Sequence, residues 1–301
     1  MTQTHKVGTF SSTLPFILKE DSSPQLLRHI PYHYPRHHRE RQSTMSTVTV
    51  GVLALQGGFQ EHVDLVRKAA AALSSAPAPS PVPEIVAVEV RTEEELRRCD
   101  ALIIPGGEST AISLVATRCG LMEPLREFVK VNRKPVWGTC AGAILLADEA
   151  NATKKGGQEL IGGLGVRVHR NHFGRQIESF VADLDLPFLS RGDGASKPAS
   201  APFPGVFIRA PIVEKILSSS DTTQQPADSS AVDILAVLPG RKGMVDGVSQ
   251  STGDDSVGDI VAVRQANIFA TSFHPELTDD IRIHVWWLEQ VLQSLPWTSS
   301  A

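Results

Sequence analysis

Apolar residues in this chain fall in short unbroken runs, each closed by glycine or proline, and between the runs they recur at helical spacing. Val48 to Leu55 (VTVGVLAL) is the first run and ends at Gln56-Gly57-Gly58, the pattern of a buried strand that meets a tight turn. From about Phe59 to Leu73, Val63, Val66, Ala70 and Leu73 share one helical face. Glu84 to Val90 returns as a strand, and Thr92 with Glu95 has the capping-box spacing that opens a short helix. Ala101 to Ile104 is the next strand, closed by Pro105-Gly106-Gly107. Helices are predicted from about Ser109 to Thr117 and from Met122 to Val131. Pro135 to Gly138 leads a strand into Thr139-Cys140-Ala141-Gly142, and Ala143 to Ala147 continues as helix.

The second half is richer in strands: Val166 to His169, Glu178 to Asp183, Gly205 to Ile208, Ile234 to Leu238, Ile260 to Gln265 and Ile268 to Thr271 all read extended. A closing amphipathic helix is expected from Asp279 to Leu295, N-capped by Thr278, with Asp279 and Asp280 in its first turn. Strands alternating with helices predict an α/β fold with a largely parallel sheet covered on both sides. Four polar or low-complexity stretches, near 74–83, 191–204, 218–231 and 249–258, read as surface insertions into one domain over 46–297. Residues 1–45, rich in histidine and arginine and without a strand pattern, read as a disordered tail ahead of Met45.

Composition narrows the function classes. The chain has 301 residues, a net charge of −4 and 41% hydrophobic residues, enough apolar matter for a packed core. Slight acidity with no basic stripe argues against nucleic-acid binding, and no run reaches the roughly 18 apolar residues of a membrane span. Three cysteines, Cys99, Cys119 and Cys140, do not make a disulfide framework, and no CxxC pair suggests a metal or redox site. A reducing compartment, the cytoplasm, is expected, with no metal and no cofactor.

Gly138-Thr139-Cys140-Ala141-Gly142 has the form of a nucleophile elbow, in which small neighbours permit the sharp turn between strand and helix. The helix that follows aims free N–H groups and its positive dipole end at the sulfur, which favours the reactive thiolate. A buried structural cysteine would be the ordinary reading of a free thiol. Cys99 and Cys119 lack the flanking glycines and are read that way, as packing residues. A nucleophile needs a base and the base an orienting partner. Ser272-Phe273-His274-Pro275-Glu276 offers both, His274 after a strand and Glu276 two residues on. The HPE triplet alone is a weak signal, equally that of a capping histidine and a solvated glutamate. Pro105-Gly106-Gly107-Glu108-Ser109-Thr110 lets backbone N–H groups turn toward a ligand. An oxyanion would take two donors, for which the Gly107 and Ala141 N–H groups are candidates. Arg170 in RNHFGRQ and Arg209 in FIRAP could clamp a carboxylate, although by residue type alone each is more often a surface arginine.

Taken in order, LALQGGFQEH, PGGEST, GTCAG, RNHFGRQ, FIRAP and SFHPELT resemble the class I, triad-type glutamine amidotransferases. More closely they resemble the glutaminase subunit of pyridoxal 5′-phosphate synthase, from about Val50 to Leu295. GTCAG and HPE belong to the wider class, whereas RNHFGRQ, FIRAP and the LALQGG opening are more specific. The resemblance implies the three-layer, flavodoxin-like class I glutaminase fold. It implies hydrolysis of L-glutamine with Cys140, His274 and Glu276 as the catalytic set. It implies glutamine contacts from Gly107, Glu108, Ser109, Arg170, Ile208 and Arg209. It also implies a partner, the synthase (lyase) subunit, which receives the ammonia and helps set the oxyanion turn. His169 and His172 depart from the acid and the small polar residue expected beside Arg170. A glutaminase serving another synthase (histidine biosynthesis, for example), a non-catalytic subunit of the same fold, and a cysteine hydrolase such as a peptidase are the competing readings.

Overall fold

The computed structural model describes residues 47–76, 82–151, 158–170, 179–190, 201–217, 230–238 and 258–295. The tail, most of the four insertions and residues 171–178, His172 among them, lie outside these. The strands are β1 (Val48–Leu53), β2 (Ile85–Val90), β3 (Ala101–Ile104), β4 (Val136–Thr139), β5 (Ala147–Ala150), β6 (Leu164–His169), β7 (Phe180–Leu184), β8 (Phe203–Phe207), β9 (Ile212–Ile216), β10 (Asp233–Leu238), β11 (Asp259–Gln265) and β12 (Ile268–Thr271). The helices are α1 (Phe59–Ser75), α2 (Glu93–Arg97), α3 (Ser109–Arg118), α4 (Met122–Arg126), α5 (Ala141–Leu146) and α6 (Arg282–Ser294).

One sheet runs in the order β2-β1-β3-β4-β12-β11-β9-β6-β5, with β10 paired to β11; β7 and β8 form a separate hairpin. From β2 to β12 every pairing is parallel. β11 reverses direction, and the strands beyond it pair mostly antiparallel. The chain thus has the expected α/β architecture with a large, mostly parallel central sheet.

Side chains alternate across the strands, so β3 sends Ile103 to one face and Leu102 and Ile104 to the other. The first face is covered by α1 and α6, which add Val63, Val66, Leu73, Ile283, Trp287 and Val291. The second is covered by α2 to α5, which add Leu96, Ile112, Leu125 and Leu145. Each such side chain, fully buried, contributes roughly 1.5–3 kcal/mol. The parallel strands read as continuous apolar runs because both of their faces are covered.

Several expected boundaries move. The Thr92 capping box is present, with Glu95 N–H donating to Thr92 Oγ1 at 3.3 Å. α1 continues to Ser75, and the helix expected over Met122 to Val131 changes at Glu127 into a π-turn, Glu127–Val131. The closing helix begins at Arg282 rather than Asp279. Thr278 is extended after the 3₁₀ turn Pro275–Leu277, and its hydroxyl accepts from Asp280 N–H, while the Asp280 carboxylate takes the Arg282 N–H. α5 stops at Leu146, and Ala147, read as the end of that helix, instead opens the unexpected strand β5. β9 was not expected. Cys119 is exposed at the end of α3, not a packing residue, whereas Cys99 is buried as expected.

Candidate active site

Parallel strands bring their carboxyl-terminal ends to one edge, and the turns that leave them become neighbours there. In register, Val52 of β1 lies beside Ile103 of β3, Ile104 beside Gly138 of β4, and Thr139 beside Thr271 of β12. The turns after these strands are QGG, PGGEST, GTCAG and SFHPE. Four sequence motifs scattered over more than 200 positions therefore meet at one edge.

Cys140 stands between β4 and α5 with φ 45° and ψ −97°, a left-handed conformation rare outside glycine. Its N–H donates to Thr271 O at 2.8 Å, and the residue is buried. The elbow can form because α5 approaches β3 without intervening side chains. A Cβ on Gly142 would collide with the Ile104 carbonyl, and one on Gly138 would lie 2.6 Å from the Gly142 carbonyl carbon. The first N–H groups of α5, Ala141 included, have no acceptor within the helix.

His274 is held by its own backbone N–H, which donates to Val206 O of β8 at 2.8 Å. Its Nδ1 lies 2.7 Å from Glu276 Oε1, and the two side chains are nearly inaccessible. Nε2 has no hydrogen-bond partner among the described residues, which leaves it available to Cys140. Burial alone would lower the His274 pKa. The nearby Cys140 sulfur and Glu276, through the Glu276 hydrogen bond and the charge of both groups, override burial and raise it to about 10. Burial likewise pushes Glu276 upward. The charge of His62, hydrogen bonds to His274 and His62, and the charge of His274 outweigh it and hold the carboxyl well below its usual range. The pair is thus an imidazolium and a carboxylate at neutral pH. Burial in an apolar site pushes the Cys99 thiol up to about 11.

The PGGEST turn closes over the pair. A Cβ on Gly106 would lie 2.6 Å from His274 Nδ1, so only glycine lets the turn approach the imidazole this closely. Gly58 N–H donates to Gly106 O at 3.1 Å, and Gln56 Oε1 accepts the Glu108 N–H at 2.8 Å, so QGG fixes PGGEST in place. Glu108, not Ser109, caps α3, taking the Thr110 and Ala111 N–H groups at 3.0 and 2.6 Å. This frees Ser109, whose Oγ accepts from Arg170 Nη2 at 3.0 Å; Arg170 also reaches Thr110 Oγ1 at 3.1 Å. Gln158 Oε1 accepts from both hydroxyls at 3.1 and 3.3 Å. Ile208 arches over the nucleophile, its carbonyl 4.0 Å from Cys140 Sγ, and Arg209 beside it is exposed with φ 47°. His169 ends β6.

Every predicted site residue therefore lies at or beside this edge. Sequence reasoning missed Gln56, Gln158, His62 and His284. Gln56 and His62 sit inside the quoted LALQGGFQEH, but nothing in residue type separated them from ordinary turn and helix-surface positions. Among the described residues no cluster of three or more His, Cys, Asp or Glu could hold a metal ion.

A nucleophile elbow, a polarised imidazole and a glycine turn in this arrangement suit acyl transfer at an amide. Residues 52–293 match the SNO glutamine amidotransferase family. The chain belongs to that family. It is 42% identical over 248 residues to the probable pyridoxal 5′-phosphate synthase subunit PDX2 of Arabidopsis thaliana, covering 80% of this chain and 85% of the relative. It is 43% identical over 247 residues to the pyridoxal 5′-phosphate synthase subunit PdxT of Streptomyces avermitilis, covering 82% and 96%. It is 39% identical over 254 residues to the subunit SNO1 of Saccharomyces cerevisiae, covering 84% and 96%. A crystal structure of a glutamine amidotransferase superposes with a TM-score of 0.57 at 37% identity, covering 80% of this chain and 98% of that one.

Proposed function

We propose that the chain hydrolyses L-glutamine through a Cys140 thioester and passes the ammonia to the synthase subunit that makes pyridoxal 5′-phosphate. The Cys140 sulfur attacks the side-chain amide carbon of glutamine, and the carbonyl oxygen takes negative charge against the Gly107 and Ala141 N–H groups. Protonated His274 gives its proton from Nε2 to the amide nitrogen; the carbon–nitrogen bond breaks and ammonia leaves. Water then loses a proton to His274 as it adds to the thioester, the carbon–sulfur bond breaks, and glutamate and the free thiol are released. Glu276, bonded to Nδ1, keeps the imidazole in the tautomer that points Nε2 at the sulfur. Arg170 and Arg209 hold the amino-acid end, with Glu108, Ser109 and the Ile208 backbone lining the same pocket.

The observation that carries this reading is the strained, buried Cys140 facing a His274 that is bonded to a buried Glu276 at 2.7 Å. The partner assignment is supported by relatives that are themselves named as subunits of that synthase. The test measures ammonia release from glutamine with the synthase subunit present, for the wild type and for Cys140→Ala. Release should vanish in the variant; an unchanged rate would end the enzyme reading. Glutamine-dependent formation of pyridoxal 5′-phosphate by the mixed subunits tests the partner. No gain over the synthase subunit alone would reject it.

A further inference from the structure

The first turn of α1 carries a buried group that the chemistry above does not use. His62 is fully inaccessible, as is His284 on α6. His62 Nε2 lies 3.2 Å from Thr139 Oγ1 and 3.3 Å from Glu276 Oε2, and its Nδ1 lies 3.1 Å from His284 Nε2. Trp137 packs edge-on against both imidazoles, with centroids 5.6 and 4.8 Å away. Three helical segments and β4 thus converge behind the catalytic carboxylate.

The partners dictate where the protons sit. Glu276 is ionised and can only accept; Oε1 takes the His274 Nδ1–H. The nitrogen facing Oε2 must therefore be a donor, so His62 carries a proton on Nε2. That N–H is shared, directed at the Thr139 hydroxyl and oblique to Oε2, which receives no directed hydrogen bond. Burial, with the charge of His62, keeps the His284 pKa well below the ordinary value, so His284 is neutral and has one N–H.

We propose that His62 is a positioning residue for the reaction. Its Nε2–H, bonded to the hydroxyl of Thr139, the residue before the nucleophile, holds the far oxygen of Glu276 by electrostatic attraction at 3.3 Å, with His284 packed 3.1 Å behind its Nδ1. Without this donor the carboxylate is free to turn away from His274, and the imidazole loses the orientation that aims Nε2 at Cys140. The assignment rests on the glutaminase reading above.

Nitrogen-15 NMR of the histidine-labelled wild-type chain tests it first and needs no variant. His62 must show a proton on Nε2, and a neutral ring protonated on Nδ1 alone overturns the proposal. Two polar variants test it next. In His62→Gln the amide reaches the Nε2 position; in His62→Asn it reaches only the Nδ1 position. With the synthase subunit present, His62→Asn should lower kcat for glutamine about 10- to 100-fold, as losses of supporting partners do. KM should move less than about threefold, and His62→Gln should recover most of the loss. Equal rates for the two variants, or a loss carried by KM, would sink the idea. Alkylation of Cys140 by iodoacetamide across pH requires no glutamine turnover. Its midpoint should shift in His62→Asn and not in His62→Gln, and identical profiles would overturn the proposal. That shift in a protein that releases no ammonia would remove the glutaminase reading and leave the His62 assignment standing.

Discussion

Along β3, β4 and β12 every residue is buried, and the ladders that join them to one another and to β1 run without a register shift. In the strands past β11 the ladders slip, between Ala147 and Glu149, between Arg167 and Val168, and twice along β10 and β11. There β9 buries Ile212 and exposes Glu214, Lys215 and Ile216. The reacting groups Cys140 and His274 hang from the first half, which also carries the PGGEST turn. Arg170, Ile208 and Arg209, the arms proposed for substrate, come from the second half and its hairpin. A sheet covered on both faces allows one register only. The half that tolerates slips and open faces supplies groups whose task is to grip rather than to react.

Changes in the first half should cost turnover, and changes in the second should cost affinity. The largest loss is expected for Glu276→Gln, which keeps the shape but offers an amide N–H to His274 and favours the wrong tautomer. The kcat for glutamine should fall by about 10²- to 10⁴-fold with KM little changed, read as ammonia release. Gly106→Ala should follow, since its Cβ would press on the imidazole. A displacement near 1 Å there costs on the order of 10²-fold, and a crystal structure of the variant should show the ring moved. If Gly106→Ala turns over glutamine normally, the turn is not the constraint described here. In the second half, Arg170→Lys removes the planar fork and should raise KM about tenfold while kcat stays within about threefold. A fall in kcat with unchanged KM would erase the division between the halves.

The smallest effect is one of stability. Glu276 and Cys140 push the His274 pKa up to about 10 in the fold from its ordinary 6.5. A raised value stabilises the native state fully below 6.5, and the contribution is lost as the pH climbs through 10. Melting temperatures should therefore decline more steeply across that window in the wild type than in His274→Gln. Parallel declines would mean that the ring gains nothing from its partners.

The same contrast governs what could be seen in the sequence. VTVGVLAL, ALII and IFAT announce themselves because burial on both faces leaves no charged interruption. IVEKI does not, because β9 hides behind Pro211 and alternates too weakly, and ADEA of β5 has neither β-branched nor aromatic residues to mark a strand. The helix start at Arg282 was hidden because Thr278 is a good cap by type but is spent on a turn. Cys140 was legible from its flanking glycines and His274 from its place after a strand with Glu276 two residues on. His62 was not, since Glu61 and Asp64 make its surroundings look solvated. Only the packing of α1 against α6 turns that position inward, on the same face as Val66, Ala69 and Leu73.

Trp137 lies in the middle of β4, wholly shut off from water, its indole N–H donating to Thr271 Oγ1 at 3.2 Å. The strand that delivers the sulfur thus also carries a fluorophore, in contact with two imidazoles. Once Trp286, Trp287 and Trp297 are replaced by phenylalanine, light emitted by that indole will register rearrangement beneath the reacting groups in real time, with no added label.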